Sequence, residues 1–265
     1  MRVHAINTGK VWVKSRQMRG VGGGRTRAIR TMFDREWSEP LPILAWLVEH
    51  PDGLIVVDTG ESAGVMEKGW FPRWHPYFRL AVRFEARPED EIGPQIRALG
   101  FDPEDVKTVV MTHMHGDHAG GIPHFPRSEF LVARGEYEAT KGIEGKINYL
   151  PQHLPQWFAP TLVDLDGWDP GHVVAPGVRI VPTPGHTADH VSVVVEDGER
   201  TLFIAGDASY REDLMREGVA DGVTQSPETH LATLARIRAF VDEHSAIYLP
   251  THDPESGARL DAAYA

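Results

Sequence analysis

The ten residues THMHGDHAGG, 112 to 121, place three histidines and an aspartate within six positions: His113, His115, Asp117 and His118. Imidazole nitrogen and carboxylate oxygen are good ligands for zinc, and they also suit iron, cobalt and manganese. His113 and His115 stand two apart in what reads as an extended loop, so both rings can lean toward one point. Asp117 and His118 follow at the expected start of a helix and can face a second point. A His-rich surface loop would have the same composition. Three further candidates follow in order, however: His186 in TPGHT (183–187), Asp207 in AGDAS (205–209) and His252 in LPTHDPE (249–255). Two ions about 3.5–4 Å apart form the usual hydrolytic pair and make a water reactive near neutral pH. The chain has no cysteine, which excludes disulfides, thiolate zinc sites and a cysteine nucleophile.

The elements that must position these residues are legible as apolar runs between turn signals. VKTVVMT (106–112) runs into His113, VRIVPT (178–183) leads to His186, RTLFIAG (200–206) ends at Asp207, and AIYLPTH (246–252) ends at His252. PILAWLVEH (42–50) and GLIVVDTG (53–60) flank Pro51-Asp52-Gly53 as a hairpin, and HVSVVVE (190–196) pairs with RTLFIAG across Asp197-Gly198-Glu199. SEFLVA (128–133) reads as another strand. A helix is expected over 88–99, opened by Pro and acids and stopped by Gly100. A second covers 226–244, with Ser226 as cap, Pro227 in the first turn, and Leu231, Leu234, Ile237 and Val241 on one face. No linker or repeat divides the chain. These elements predict one α/β domain over residues 1–265, with two mixed sheets packed together and helices outside.

Bulk properties narrow the function classes. A net charge of −11 disfavours a nucleic-acid partner, because affinity for a phosphate backbone is largely cationic. No stretch approaches the roughly 20 apolar residues of a membrane span. The N-terminal MRVHAINTGKVWVKSRQ alternates apolar and polar residues without the apolar core of a signal peptide, so a cytoplasmic address is the expectation. A basic segment from Lys14 to Arg35 contains GVGGG, which lacks the spacing of a phosphate-binding loop and reads as a solvated or substrate-covering loop. GWFPRWHPYF (69–78) carries Trp70, Phe71, Trp74, Tyr77 and Phe78, either as a ligand or partner surface or as a satellite core. A homodimer through this surface is a second expectation. His4, His50, His75 and His153 read as surface or packing residues, and His124 and His190 as structural neighbours of the site.

The pieces VVDTG (56–60), THMHGDHAGG, TPGHT, AGDAS and His252 together resemble the metallo-β-lactamase superfamily over nearly the whole chain. The resemblance implies a four-layer αβ/βα sandwich, two mixed β-sheets flanked by helices, with a dinuclear site at one edge. It implies that His113, His115 and His186 hold one metal, that Asp117, His118 and His252 hold the other, and that Asp207 bridges. Asp58 would support the site, unless it only forms the turn before Gly60. Two divalent ions, zinc foremost, would be the cofactor. The superfamily's redox members have an acid where this chain has His115, and its β-lactamases generally lack the bridging aspartate. GDASYRED (206–213) is similar to the N-acyl homoserine lactonases, in which a tyrosine three residues after the bridging Asp reaches the substrate carbonyl; Tyr210 holds that position. The implied reaction is hydrolytic opening of a lactone ring, with Tyr210 stabilising the oxyanion and Asp117 shuttling a proton to the leaving oxygen. Other lactone or ester hydrolases, a glyoxalase II-like thioesterase and a phosphotriesterase share the ligand set. The thioesterase would bring a basic C-terminal patch, for which ARLDAAYA (258–265) supplies only Arg259.

Overall fold

Alternation of apolar side chains decides the layers. In the computed structural model the first sheet contains β1 (Arg2–Val13), β2 (Leu41–Glu49), β3 (Leu54–Val57), β4 (Val82–Glu85), β5 (Val106–Met111), β6 (Glu129–Ala133) and β7 (Thr161–Val163), in the order β4-β1-β2-β3-β5-β6-β7. The second contains β8 (His172–Ala175), β9 (Val178–Pro182), β10 (Val191–Glu196), β11 (Thr201–Gly206) and β12 (Ile247–Pro250), in the order β12-β11-β10-β9-β8. Both are mixed: β3, β5, β6 and β7 run parallel, as do β11 and β12, and the remaining pairs are antiparallel. The structure describes residues 1–265 apart from Gly24, Ile143, Glu144, Ile147, Asn148, Glu199 and Gln225. Gly24 of GVGGG and Glu199 of the second hairpin turn therefore lie outside the described residues.

Successive residues of a strand point to opposite faces. Leu44, Trp46 and Val48 of β2 join Val191, Val193 and Val195 of β10 in the core between the sheets. Ala45 and Leu47 face the other way, toward Ile92 and Ile96 of the helix Ile92–Ala98. Val194 and Phe203 of the second sheet pack on Leu234, Ile237 and Val241 of the helix Pro227–His244. Strands covered on both faces read as nearly continuous apolar runs, which is why β2, β5, β10 and β11 stand out in the sequence. Helix, sheet, sheet and helix form the expected four-layer sandwich.

Three local expectations differ from the structure. The helix expected over 88–99 is a 3-10 turn, Pro88–Asp90, followed after Glu91 by the helix Ile92–Ala98. In one continuous helix the Pro94 ring would clash with the Asp90 carbonyl; starting at Ile92 puts Pro94 in the first turn, where its missing N–H costs nothing. In the helix Pro227–His244 the buried stripe is His230, Thr233, Leu234, Ile237 and Val241. Leu231 is 43% exposed, because it stands about 100° around the helix from the middle of that stripe. Finally, the basic segment is no loose loop: it contains the helices Ser15–Met18 and Arg25–Met32.

Where the candidate ligands gather, the two sheets are joined through the ends of their strands. Val191 N–H donates to the Thr112 carbonyl at 2.9 Å, and Leu44 N–H donates to the Thr251 carbonyl at 3.1 Å. Thr251 N–H in turn reaches Gly206 O at 3.1 Å. These bonds tie the ends of β5, β11 and β12, and so fix the residues that follow each strand.

Candidate metal centre

His113 follows β5, His186 follows β9, Asp207 follows β11 and His252 follows β12. His115 precedes the short helix Gly116–Ala119, which carries Asp117 and His118. Gly206 is needed just before Asp207: its φ is +55°, and a Cβ there would lie 2.8 Å from His190 Nε2 and from Thr112 Cβ.

All seven predicted side chains come together. Three groups have donor atoms close enough to hold one ion each: His113, His115 and His186; His113, His118 and Asp207; and Asp117, His118 and His252. His115 Nδ1 lies 3.0 Å from His113 Nε2 and 3.1 Å from His186 Nε2. His252 Nε2 lies 3.5 Å from Asp117 Oδ2 and 3.3 Å from Asp207 Oδ2. Asp207 spans both sides, with Oδ1 3.3 Å from His118 Nε2 and Oδ2 3.5 Å from His186 Nε2. Nitrogen ligands at 2.0–2.1 Å around a tetrahedral ion are about 3.3 Å apart, so these spacings are those of a coordination shell. His118 Nε2 and Asp207 Oδ1 are buried and find no hydrogen-bond partner among the described residues, an expensive arrangement unless an ion satisfies both. The donor set fits divalent metal ions.

The outward ring nitrogens are held in place, as oriented metal ligands require. Asp58 Oδ2 bonds His118 Nδ1 at 2.8 Å, while its carboxylate accepts from Thr112 N–H and Thr112 Oγ1, each at 2.7 Å. Asp58 also turns the chain, with φ of 57°, so both expected roles are present in one residue. His252 Nδ1 reaches the Pro42 carbonyl at 2.8 Å. His190 accepts from Asp207 N–H at 3.0 Å and bonds Thr183 Oγ1 at 2.9 Å, a supporting role as expected. His124 pairs with Glu91 at 2.8 Å. His4 pairs with Glu49, and His50 bonds the Pro176 carbonyl.

Sequence reasoning missed Asp221. Its Oδ2 lies 2.7 Å from His186 Nδ1, and its Oδ1 accepts from the N–H groups of Val223 and Thr224. Arg27 anchors this loop from the basic segment, donating to the carbonyls of Asp221 and Ala220 at 2.5 Å each and to Gly22 O at 2.7 Å. Nothing in the spacing of Arg27, His186 and Asp221 announces these contacts.

Electrostatics divides the histidines. Burial holds His113 and His115 well below the ordinary imidazole pKa, and neighbouring histidines add to the effect, so both are neutral donors. Burial also opposes charge on His118, but Asp207 and Asp58 outweigh it and raise its pKa well above the usual value. For His186, burial is likewise outweighed, by Asp221 and Asp207, and the pKa rises to about 9. Burial works against the Asp207 carboxylate, yet His252 and His118 hold its pKa well below normal.

The cluster opens onto a cavity of about 560 Å³. Trp70, Phe71, Trp74, Tyr77 and Phe78 all line it, and Tyr77 and Phe78 also pack against a small core that includes Val11, Val13, Leu41, Ile43 and Val82, so the aromatic segment is both cavity wall and satellite core. Met32 and Ala28 of the basic segment line it too, as do His75 and His153. The His153 ring stacks on Trp70, with centroids 3.8 Å apart. Tyr210 lines the cavity beside the cluster, its ring stacked on His252 at 5.4 Å. Glu61 is a further lining residue that the sequence did not single out; burial and the nearby Asp117 raise its pKa well above the usual carboxyl range.

The metallo-beta-lactamase superfamily profile matches residues 38–252. The N-acyl homoserine lactonase AttM of Rhizobium radiobacter is 30% identical over 241 residues, 84% of this chain and 86% of that protein. An N-acyl homoserine lactonase from a Bacillus species is 31% identical over 218 residues, 81% of this chain and 82% of that one. Among solved structures, an N-acyl homoserine lactone hydrolase with the product N-hexanoyl-L-homoserine bound at its catalytic metal centre superposes with a TM-score of 0.77 at 23% identity, over 96% of this chain and 94% of that one. The chain belongs to the metallo-beta-lactamase superfamily, as a hydrolase whose relatives include N-acyl homoserine lactonases.

Proposed function

We propose that the protein, as one hydrolase domain over residues 1–265, opens the lactone ring of N-acyl homoserine lactones and so quenches a diffusible acyl-lactone signal. The observation that carries this reading is the shared opening of the ligand cluster and Tyr210 onto an aromatic-walled cavity, in a chain about 30% identical to lactonases of that name. In this reading His113, His115 and His186 would hold one divalent ion, Asp117, His118 and His252 would hold a second, and Asp207 would lie within reach of both. Zinc suits the nitrogen-rich set best. When bound, such a pair supplies a water of lowered pKa and a Lewis acid toward the carbonyl oxygen.

The chain's own groups do the rest. The Tyr210 hydroxyl donates to the oxygen that gains charge as the carbonyl is attacked. Asp117, partly exposed at the cavity floor, carries a proton to the departing ring oxygen. Trp70, Phe71 and Phe78 hold the acyl chain away from water. A glyoxalase II-like role is disfavoured because Arg259 is engaged by Asp253 at 2.7 Å and Glu212 at 3.3 Å. The reading includes a cytoplasmic enzyme without nucleic-acid or membrane partners; the net charge of −11 supports the lack of a nucleic-acid partner, and among the described residues no helix is long and apolar enough to cross a membrane. It also includes a homodimer, supported by the exposed Phe33 and Trp74 and checked by sedimentation.

The test is proton release from C4- to C12-homoserine lactones by the zinc- or cobalt-loaded protein, followed with a pH indicator before and after chelation. Fast release that chelation abolishes is expected. No release above background in protein carrying two metals per chain would overturn the reading.

A further inference from the structure

Gln17, in the helix Ser15–Met18 of the basic segment, is buried, 3% exposed, and lines the same cavity as the metal-ligand candidates. Its Nε2 lies 2.8 Å from the Tyr210 hydroxyl and 2.8 Å from the Tyr77 hydroxyl. Its Oε1 lies 3.1 Å from the Tyr77 hydroxyl. The Gln17 backbone is fixed as well: its N–H donates to Lys14 O, and its carbonyl accepts from Gly222 N–H, each at 2.7 Å. Gly222 adjoins Asp221, which holds His186. One amide side chain thus joins three walls of the cavity: the basic segment, the aromatic segment through Tyr77, and the turn after β11 through Tyr210.

We propose that Gln17 is a positioning residue that aims the Tyr210 hydroxyl proton at the substrate. This rests on the role given to Tyr210 above. A phenol has one proton to donate and two lone pairs to accept with. The Gln17 N–H occupies one lone pair, and two donors cannot point at each other, so the Tyr210 proton must turn away from Gln17. The ring is packed against His252 and sits edge-on to His186, which leaves the metal side of the cavity as its direction. A bond donated into the phenol oxygen also polarises its O–H and strengthens it as a donor to a developing anion. The Tyr77 hydroxyl contacts both amide atoms and holds the plane of the amide against the aromatic segment.

Gln17→Leu removes the amide at similar volume, and Gln17→Glu keeps the shape but replaces the donor with an acceptor that would draw the Tyr210 proton toward itself. Loss of one such bond is expected to lower kcat about 10-fold for Gln17→Leu. KM, metal content and the absorption spectrum of the cobalt-loaded protein should stay as they are. Gln17→Glu should fail to rescue kcat. In a Tyr210→Phe background Gln17→Leu should cost less than about two-fold, because the two residues act as one unit. Equal losses in both backgrounds, an unchanged kcat, or rescue by Gln17→Glu would each overturn the proposal. A readout independent of substrate is the Gln17 side-chain amide resonance, assigned by its loss in Gln17→Leu. It should move on Tyr210→Phe whatever the enzyme hydrolyses, and a resonance that stays put overturns the hydrogen bond itself. Failure of the lactonase reading shows differently, as inactivity on homoserine lactones with that resonance still shifting.

Discussion

At the scale of single residues, the side chains behind the candidate ligands matter as much as the ligands. Asp221 holds His186 at 2.7 Å and is itself held by two backbone N–H groups. Asp221→Asn keeps the shape and removes the charge. We expect metal affinity to fall about 10–100-fold, as is typical when such a partner is lost. Competition with a chelating indicator measures this, and an unchanged affinity would mean that the loop orients His186 without the carboxylate. Tyr210→Phe removes only a hydroxyl from a ring already stacked on His252. We expect kcat to drop about 100-fold, the scale of a lost oxyanion donor, with two metals still bound by elemental analysis. A mutant with wild-type kcat would take Tyr210 out of the reaction. The types and spacing of the seven candidate ligands made them visible in the sequence, because metal chemistry restricts both. Asp221, Gln17 and Glu61 carry no such mark: one aspartate, glutamine or glutamate is like any other until the fold brings it to a ring nitrogen, a phenol or a cavity.

At the scale of elements, apolar runs and periodicity located β2, β3, β5, β6, β9, β10, β11 and β12 and the helices Ile92–Ala98 and Pro227–His244 but not β1, β4, β7 or β8, and one proline and one helix face set further limits. Leu234 is fully buried against the second sheet, whereas Leu231, three residues earlier, is 43% exposed. Leu234→Ala should destabilise the fold by about 2–5 kcal/mol in denaturant unfolding, and Leu231→Ala by no more than about 0.5 kcal/mol. The reverse order would mean that the helix packs on the other stripe. The basic segment shows a second limit. Its arginines invite a search for an anion, yet Arg27 is buried and its guanidinium is taken up by three backbone carbonyls. Its charge serves to strap the segment onto the loop of Asp221. Sequence composition shows where cations are, while burial decides whether they face a ligand or the protein's own backbone.

At the scale of the whole molecule, a metal centre that includes Asp207 would couple metal uptake to protons. Without metal, His186 is held up to about 9 by Asp221 and Asp207 against the opposing effect of burial, and His118 and His252 are raised as well. At pH 7 the His186 ring carries a proton that an ion must displace. Metal binding should therefore release protons, and apparent affinity should climb as pH rises toward about 9 and fall as pH drops below neutrality. Calorimetry in buffers of different ionisation enthalpy measures the proton count. Zero protons released at pH 7 would show that the rings are neutral before the ion arrives.

The sequence by itself determined the candidate ligands and the strands that lead to them, because coordination chemistry and the continuous apolar run of a buried strand leave little choice of residue, and its motifs resemble the superfamily to which the chain belongs. Only the tertiary structure decided which carboxylate stands behind which histidine, where the Tyr210 phenol is held, and that the N-terminal basic segment closes one wall of the cavity. Those contacts join residues as far apart as Gln17 and Tyr210, or His186 and Asp221. Each depends on the angle at which two sheets meet and on which loops that angle brings together, and neither is written in local spacing.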